Sequence, residues 1–152
     1  RILLGHGAAT FAHAAAALRA WRMTALGWTA IHPADAPLVA GTAVAMCVAH
    51  HGFWSLNACR VVYAVDEDVD GVRRVAFAYG TLPAHAARGE ERFAVEWHRD
   101  GDDAVWYDLL AFSRPRHPLM RLGYPLARRL QRRFGRHSRA AMRAAVCGDG
   151  VA

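Results

Sequence analysis

From Gly27 to Pro115 the chain runs as a succession of period-two segments joined by short turns, and nothing of helical period interrupts them. Parallel strands need crossover connections of about a dozen residues or more, so this stretch predicts an antiparallel meander. "GWTAIH" is its first strand, followed by a loop holding Pro33 and Pro37. "GTAVAMCVAH" alternates Val44, Met46 and Val48 with Ala43, Ala45 and Ala49, the pattern of a pleated element. After a turn at His51-Gly52, "GFWSLNACRVVY" continues as strand to about residue 65, and "DEDVDG" reads as an acidic turn ending in Gly71. "RRVAFAYGTL" sets Val75, Phe77 and Tyr79 against Ala76, Ala78 and Gly80. A loop, "PAHAARGE", organised by Pro83 and Gly89, leads into "ERFAVEWHRD", where Phe93, Val95 and Trp97 share a face. "AVWYDLLAFSRP" closes the series at Pro115.

Helical spacing flanks this meander on both sides. "RILLG" reads as one more short strand, and "AATFAHAAAALRAWRM" as a helix over about residues 8 to 23, with Thr10 as its cap and Phe11, Ala14, Leu18 and Trp21 as its apolar stripe. Past Pro118, Leu122, Leu126, Leu130, Phe134, Ser138 and Met142 recur every four residues with arginines between them. That spacing predicts a long amphipathic helix, with Pro125 as a kink or as the first turn. One long helix and one antiparallel sheet must bury their apolar faces against each other. The expected fold is therefore α+β: a curved antiparallel sheet of six to seven strands gripping a long C-terminal helix, with one N-terminal helix and a cavity between sheet and grip.

Composition narrows the class. With 54% hydrophobic and 21% charged residues, the 152-residue chain suits one globular domain, expected over 1–147 with a short tail at 148–152. No run approaches the roughly 18 apolar residues of a membrane span. The start shows neither an initiator Met nor a leader, so it reads as the interior of a longer chain. Cys47, Cys59 and Cys147 lack metal-ligand spacing and imply reduced thiols in the cytoplasm. All basic residues are arginines, concentrated after Arg114, whereas most acids lie between Asp66 and Asp108. The segregation fits an anionic partner, or a basic helix and acidic strands neutralising one another within the fold.

"HHGFWSLNACRVVY", "FAYGTLPAHAARGEERF" and "AFSRPRHPLMRLGYPLARRLQRRF", with "LGHGAATFAHAAAALRAWRM" near the start, resemble the DUF1990 family, also called UPF0548, found in bacteria and plants without an assigned activity. The order of elements also resembles the helix-grip architecture of START and Bet v 1-like proteins, which hold lipids, polyketides or hormones between sheet and helix. The family's usual segment ahead of "LGHG" is largely absent. This resemblance implies a fold and no catalytic residues.

Alternation along the strand from Phe53 puts Ser55, Asn57, Cys59, Val61 and Tyr63 on one face and Trp54, Leu56, Ala58, Arg60 and Val62 on the other. Each face is mixed. An inward Arg60 would need a carboxylate, with Glu90 and Glu91 the leading candidates and Glu96 next, because an unpaired buried charge is costly. Arg60 then either fixes strand register or anchors the acidic end of a ligand. Tyr79, Thr81 and His85 are placed to line a cavity mouth, His85 as a general base or simply as a solvated turn residue. His50 and His51 are adjacent, point to opposite faces and cannot share a metal. Cys59 beside Arg60 invites a nucleophile, but strand cysteines usually pack and no catalytic histidine accompanies it. No G-x-G-x-x-G or P-loop pattern occurs, so neither metal nor cofactor is expected.

The candidate ligand-binding set is thus Asn57, Arg60, Tyr79, Thr81, His85, Glu90 and Glu91. The leading expectation is binding of a small hydrophobic or amphipathic molecule between sheet and C-terminal helix. A cyclase- or hydrolase-type enzyme on the same scaffold comes second, and contact of the arginine-rich helix with RNA or an acidic membrane third. Nucleic acid is the least expected partner, because exposed aromatics do not interleave the arginines.

Overall fold

The period-two segments pair in chain order. The computed structural model describes residues 1–50, 52–83, 87–115 and 124–148. Its strands are β1 (Ile2–His6), β2 (Thr29–His32), β3 (Ala43–His50), β4 (Phe53–Val69), β5 (Val72–Thr81), β6 (Ala87–His98) and β7 (Ala104–Pro115). They form one antiparallel sheet of seven strands in the order β1-β7-β6-β5-β4-β3-β2, curved into a half-barrel. Helix α1 (Gly7–Arg19) follows β1, and helix α2 (Tyr124–Cys147) follows the sheet, running about 36 Å at 1.5 Å per residue.

Several local expectations need correction. The acids of "DEDVDG" do not make a turn: β4 runs on to Val69, and only Asp70 and Gly71, at φ +49° and +75°, reverse the chain. Two positive φ values match the right-handed strand twist of a tight hairpin. The extra length holds because arginines of β5 and α1 face those acids: Arg74 bonds Glu67 at 2.8 Å and Arg19 bonds Asp66 at 2.8 Å. Gly89 is likewise not a turn residue but lies inside β6, where an added Cβ would sit 2.1 Å from the Phe112 carbonyl oxygen of β7. Thr10 does not cap α1. His6 holds the N-cap position, and the Thr10 hydroxyl donates back to its carbonyl at 2.8 Å. Trp21 falls beyond the helix in a left-handed conformation, yet it is buried and donates from Nε1 to Ala36 O at 2.8 Å.

A bulge in β4 reassigns faces. Val61 pairs with Tyr79, but Tyr63 pairs with Ala78, so Tyr63 leaves the face that Cys59 and Val61 share. That shared face carries Phe77, Phe93 and Trp97, and both helices pack on it: Phe11 of α1 meets Trp97 at 5.8 Å, and Phe134 of α2 meets Phe93 at 6.4 Å, while Trp21, just past α1, meets Phe77 edge-on at 4.8 Å. The opposite, convex face exposes Trp54, Leu56, Val62, Leu110 and Phe112.

Helix α2 sinks progressively into the concave face along its length. Leu126 is 44% exposed, Leu130 and Phe134 are half-buried, and Ser138 and Met142 are fully buried. Ser138 hydrogen-bonds the Tyr107 hydroxyl at 2.7 Å, so the one polar member of the four-residue series is satisfied. Pro125 stands in the first turn, and Pro118 and Leu122 lie outside the described residues, as does His51. The acids pair with Arg1, Arg19, Arg73, Arg74, Arg92 and Arg99, and among the described residues no ion pair joins them to α2. Neither described helix is long and apolar enough to cross a membrane.

Candidate functional site

Because the first half of α2 stands off the sheet, a cavity of about 260 Å³ remains between it and strands β3 to β7. Met46, Val48, Leu130 and Phe134 give it apolar walls. Small residues leave the space: Ala111 of β7, which follows Glu91 in register, and Ala127 of α2 both line it.

The polar groups of the cavity are held by strand register. Val61, Tyr79, Glu91 and Ala111 follow one another across β4, β5, β6 and β7. This row sets the Tyr79 and Glu91 side chains next to each other on the concave face, and the Tyr79 hydroxyl donates to Glu91 Oε2 at 2.5 Å. Asn57 of β4 donates from Nδ2 to Met46 O at 3.2 Å and to Ser55 Oγ at 3.3 Å. The Thr81 hydroxyl accepts from the Gly89 amide at 3.0 Å. On the helix side, Gln131 donates to Ser113 Oγ at 2.6 Å and ties α2 to β7 across the opening. Trp28 is clasped between β2 and α2, donating to His137 at 3.1 Å with the Arg133 guanidinium 4.4 Å above its ring.

Burial dominates the electrostatics. It raises the Glu91 carboxyl to a pKa of about 7, against the Tyr79 hydrogen bond, which favours the ionised form. Burial and the Glu91 charge together hold the Tyr79 hydroxyl well above its ordinary value. The same two causes push the Cys59 thiol up to about 12. Cys59 therefore stays a thiol at neutral pH and packs as an apolar residue, with Arg60 on the other side of the sheet and unable to activate it.

Of the seven candidates named from the sequence, Asn57, Tyr79, Thr81, Glu90 and Glu91 line this cavity. Arg60 does not. It is exposed on the convex face opposite Gly80, and neither Glu90 nor Glu91 pairs with it. His85 lies outside the described residues. Sequence reasoning missed Trp28, Ser55, Ser113 and Gln131. Gln131 carried a signal, as a long uncharged polar side chain set among arginines beside the apolar stripe. Trp28 and Ser113 carried none, because their place depends on the curvature of the sheet.

The family model described as "Domain of unknown function (DUF1990)" matches residues 1–141. The chain belongs to the DUF1990 family. Among its relatives in that family, a UPF0548 protein of Deinococcus radiodurans is 42% identical over 160 aligned positions, covering 97% of this chain and 77% of the relative. A UPF0548 protein of Dictyostelium discoideum is 39% identical, covering 88% of this chain and 65% of the relative. One of Arabidopsis thaliana is 35% identical, covering 93% and 69%. The DUF1990 chain thus spans about two thirds of the Dictyostelium and Arabidopsis relatives, and the family extends beyond bacteria and plants. No solved structure matches it.

Proposed function

We propose that this DUF1990 domain binds a small hydrophobic or amphipathic molecule in the cavity between the concave sheet and the first half of α2, in the manner of a START or Bet v 1-like helix grip. The observation that carries this reading is the company the cavity keeps: apolar walls from Met46, Val48, Leu130 and Phe134 around a few fixed polar groups, Asn57, Tyr79, Glu91 and Gln131. Such a division of labour is what small-molecule sites require. A volume of about 260 Å³ lies just under the usual range of about 300–1,000 Å³, so the guest is small. Native mass spectrometry of the purified protein tests the proposal. A retained or added guest lost on filling the space, as in Ala111→Leu, supports it; a guest whose affinity ignores that change contradicts it.

A second reading, acid–base catalysis in the same cavity, is favoured by one observation: a carboxyl with a pKa near neutrality, oriented by a tyrosine in an apolar surround. Hydrolysis of p-nitrophenyl esters that disappears in Glu91→Gln would support it. Equal hydrolysis by both proteins would count against it.

A further inference from the structure

The cavity has a sign. The chain holds 19 arginines and no other strong base, yet among the described residues none of them lines the cavity, whereas the carboxylate residue Glu91 does. Glu91 points into the concave layer. Its Oε2 accepts from Tyr79, and among the described residues its Oε1 has no partner. Among the described residues, the groups that sense it or share its cavity offer no charge to balance a carboxylate: Cys59 from β4, Tyr79 from β5, Tyr107 from β7, and Gln131 and Phe134 from α2. Arg139 of α2 acts on Tyr107 and not on Glu91, Arg92 of the same strand faces the other way and is tied to Asp108 at 2.6 Å, and His50 lies at the β3 side of the wall. A half-buried acidic group with no cation beside it among the described residues is a cost to the fold, unless a guest supplies that cation.

We propose that the cavity selects amphipathic amines, with the apolar body against Met46, Val48, Leu130 and Phe134 and the ammonium on the free oxygen of Glu91. The inference deepens the ligand-binding reading and rests on it. A carboxylate-headed guest meets like charge at the inner end and is rejected, while an alcohol of the same length has the apolar contact without the charge pairing. An alkylammonium stays protonated throughout the neutral range, as a lysine does. Its affinity then follows the ionised fraction of Glu91, which rises about tenfold between pH 6 and pH 8.5 for a group titrating near 7.

Calorimetric titration with octylamine, 1-octanol and octanoate separates the possibilities. At pH 8.5, octylamine is expected to bind at least about tenfold more tightly than 1-octanol, with octanoate weaker than both. The octylamine affinity should fall about tenfold on going to pH 6 while that of 1-octanol holds constant. In Glu91→Gln, checked for folding by circular dichroism, amine and alcohol should bind alike. An amine adsorbed on the acidic surface instead keeps its advantage in that variant and overturns the proposal. Binding of 1-octanol with no preference for the amine overturns the amine selectivity and leaves the cavity reading standing. If none of the three binds, both fall. The pH series on the unaltered protein keeps the test decisive even where the variant does not fold.

Discussion

The two ends of the concave face are made by the same strands and the same helix, yet they are built to opposite ends. At one end Trp21, Phe77, Phe93, Tyr107 and Met142 fill the space between sheet and helices with essentially no exposure. At the other, Ala111, Ala127 and a half-buried Phe134 leave a hollow, and polar side chains stand where the first end has rings. A protein seeking only stability would gain by packing both. The contrast teaches that the closed end carries the fold and frees the open end to hold a carboxyl that weakens it.

Five substitutions or conditions probe that contrast, and the largest effect belongs to the closed end. Phe77→Ala removes a ring stacked on Phe93 at 5.2 Å and edge-on to Trp21, and should cost about 3–5 kcal/mol by urea unfolding. Leu130→Ala at the cavity wall should cost markedly less, because its surroundings already include empty space; equal losses would erase the distinction. Next comes Tyr107→Phe, which strips Ser138 of its partner within the packed layer and should cost about 1–3 kcal/mol.

A pH effect follows for the open end. The Glu91 carboxyl is raised from 4.5 to about 7 in the fold, so the folded state binds more protons than the unfolded state between those values. Stability contributed by the neutral form is complete below about pH 4.5 and is lost as pH climbs through about 7. The melting temperature of the unaltered protein should therefore decline relative to Glu91→Gln between pH 5 and pH 7.5. Parallel curves for the two proteins would show that the carboxyl is not strained. Smallest in stability is Ala111→Leu, which fills the hollow and should leave the unfolding free energy within about 1 kcal/mol while weakening any guest at least tenfold.

Much of the architecture was legible from spacing. Alternating Val, Phe and Tyr in β5, and the four-residue series of α2 through Ser138 and Met142, require a sheet with one long helix on it, and seven strands and that helix are present. What spacing could not yield was the face of each residue along β4. A single bulge between Val61 and Tyr63 shifts the alternation, and the curvature decides which side is concave. Arg60 was therefore placed by chemistry alone, as a charge in want of a carboxylate, whereas it stands in water on the convex side. Glu91 was named for the wrong reason and belongs to the site by register with Tyr79. Pairing of the β4 acids was equally hidden, since it depends on Arg73 and Arg74 arriving opposite them in a two-residue hairpin.

Heteronuclear NMR titration with 1-octanol addresses the central claim most directly, because both faces of the sheet offer apolar surface. Shift changes gathered at Asn57, Cys59, Tyr79, Glu91, Leu130 and Phe134 are the predicted result. Changes confined to Trp54, Leu56 and Leu110 on the convex face, with the concave set unmoved, would contradict it.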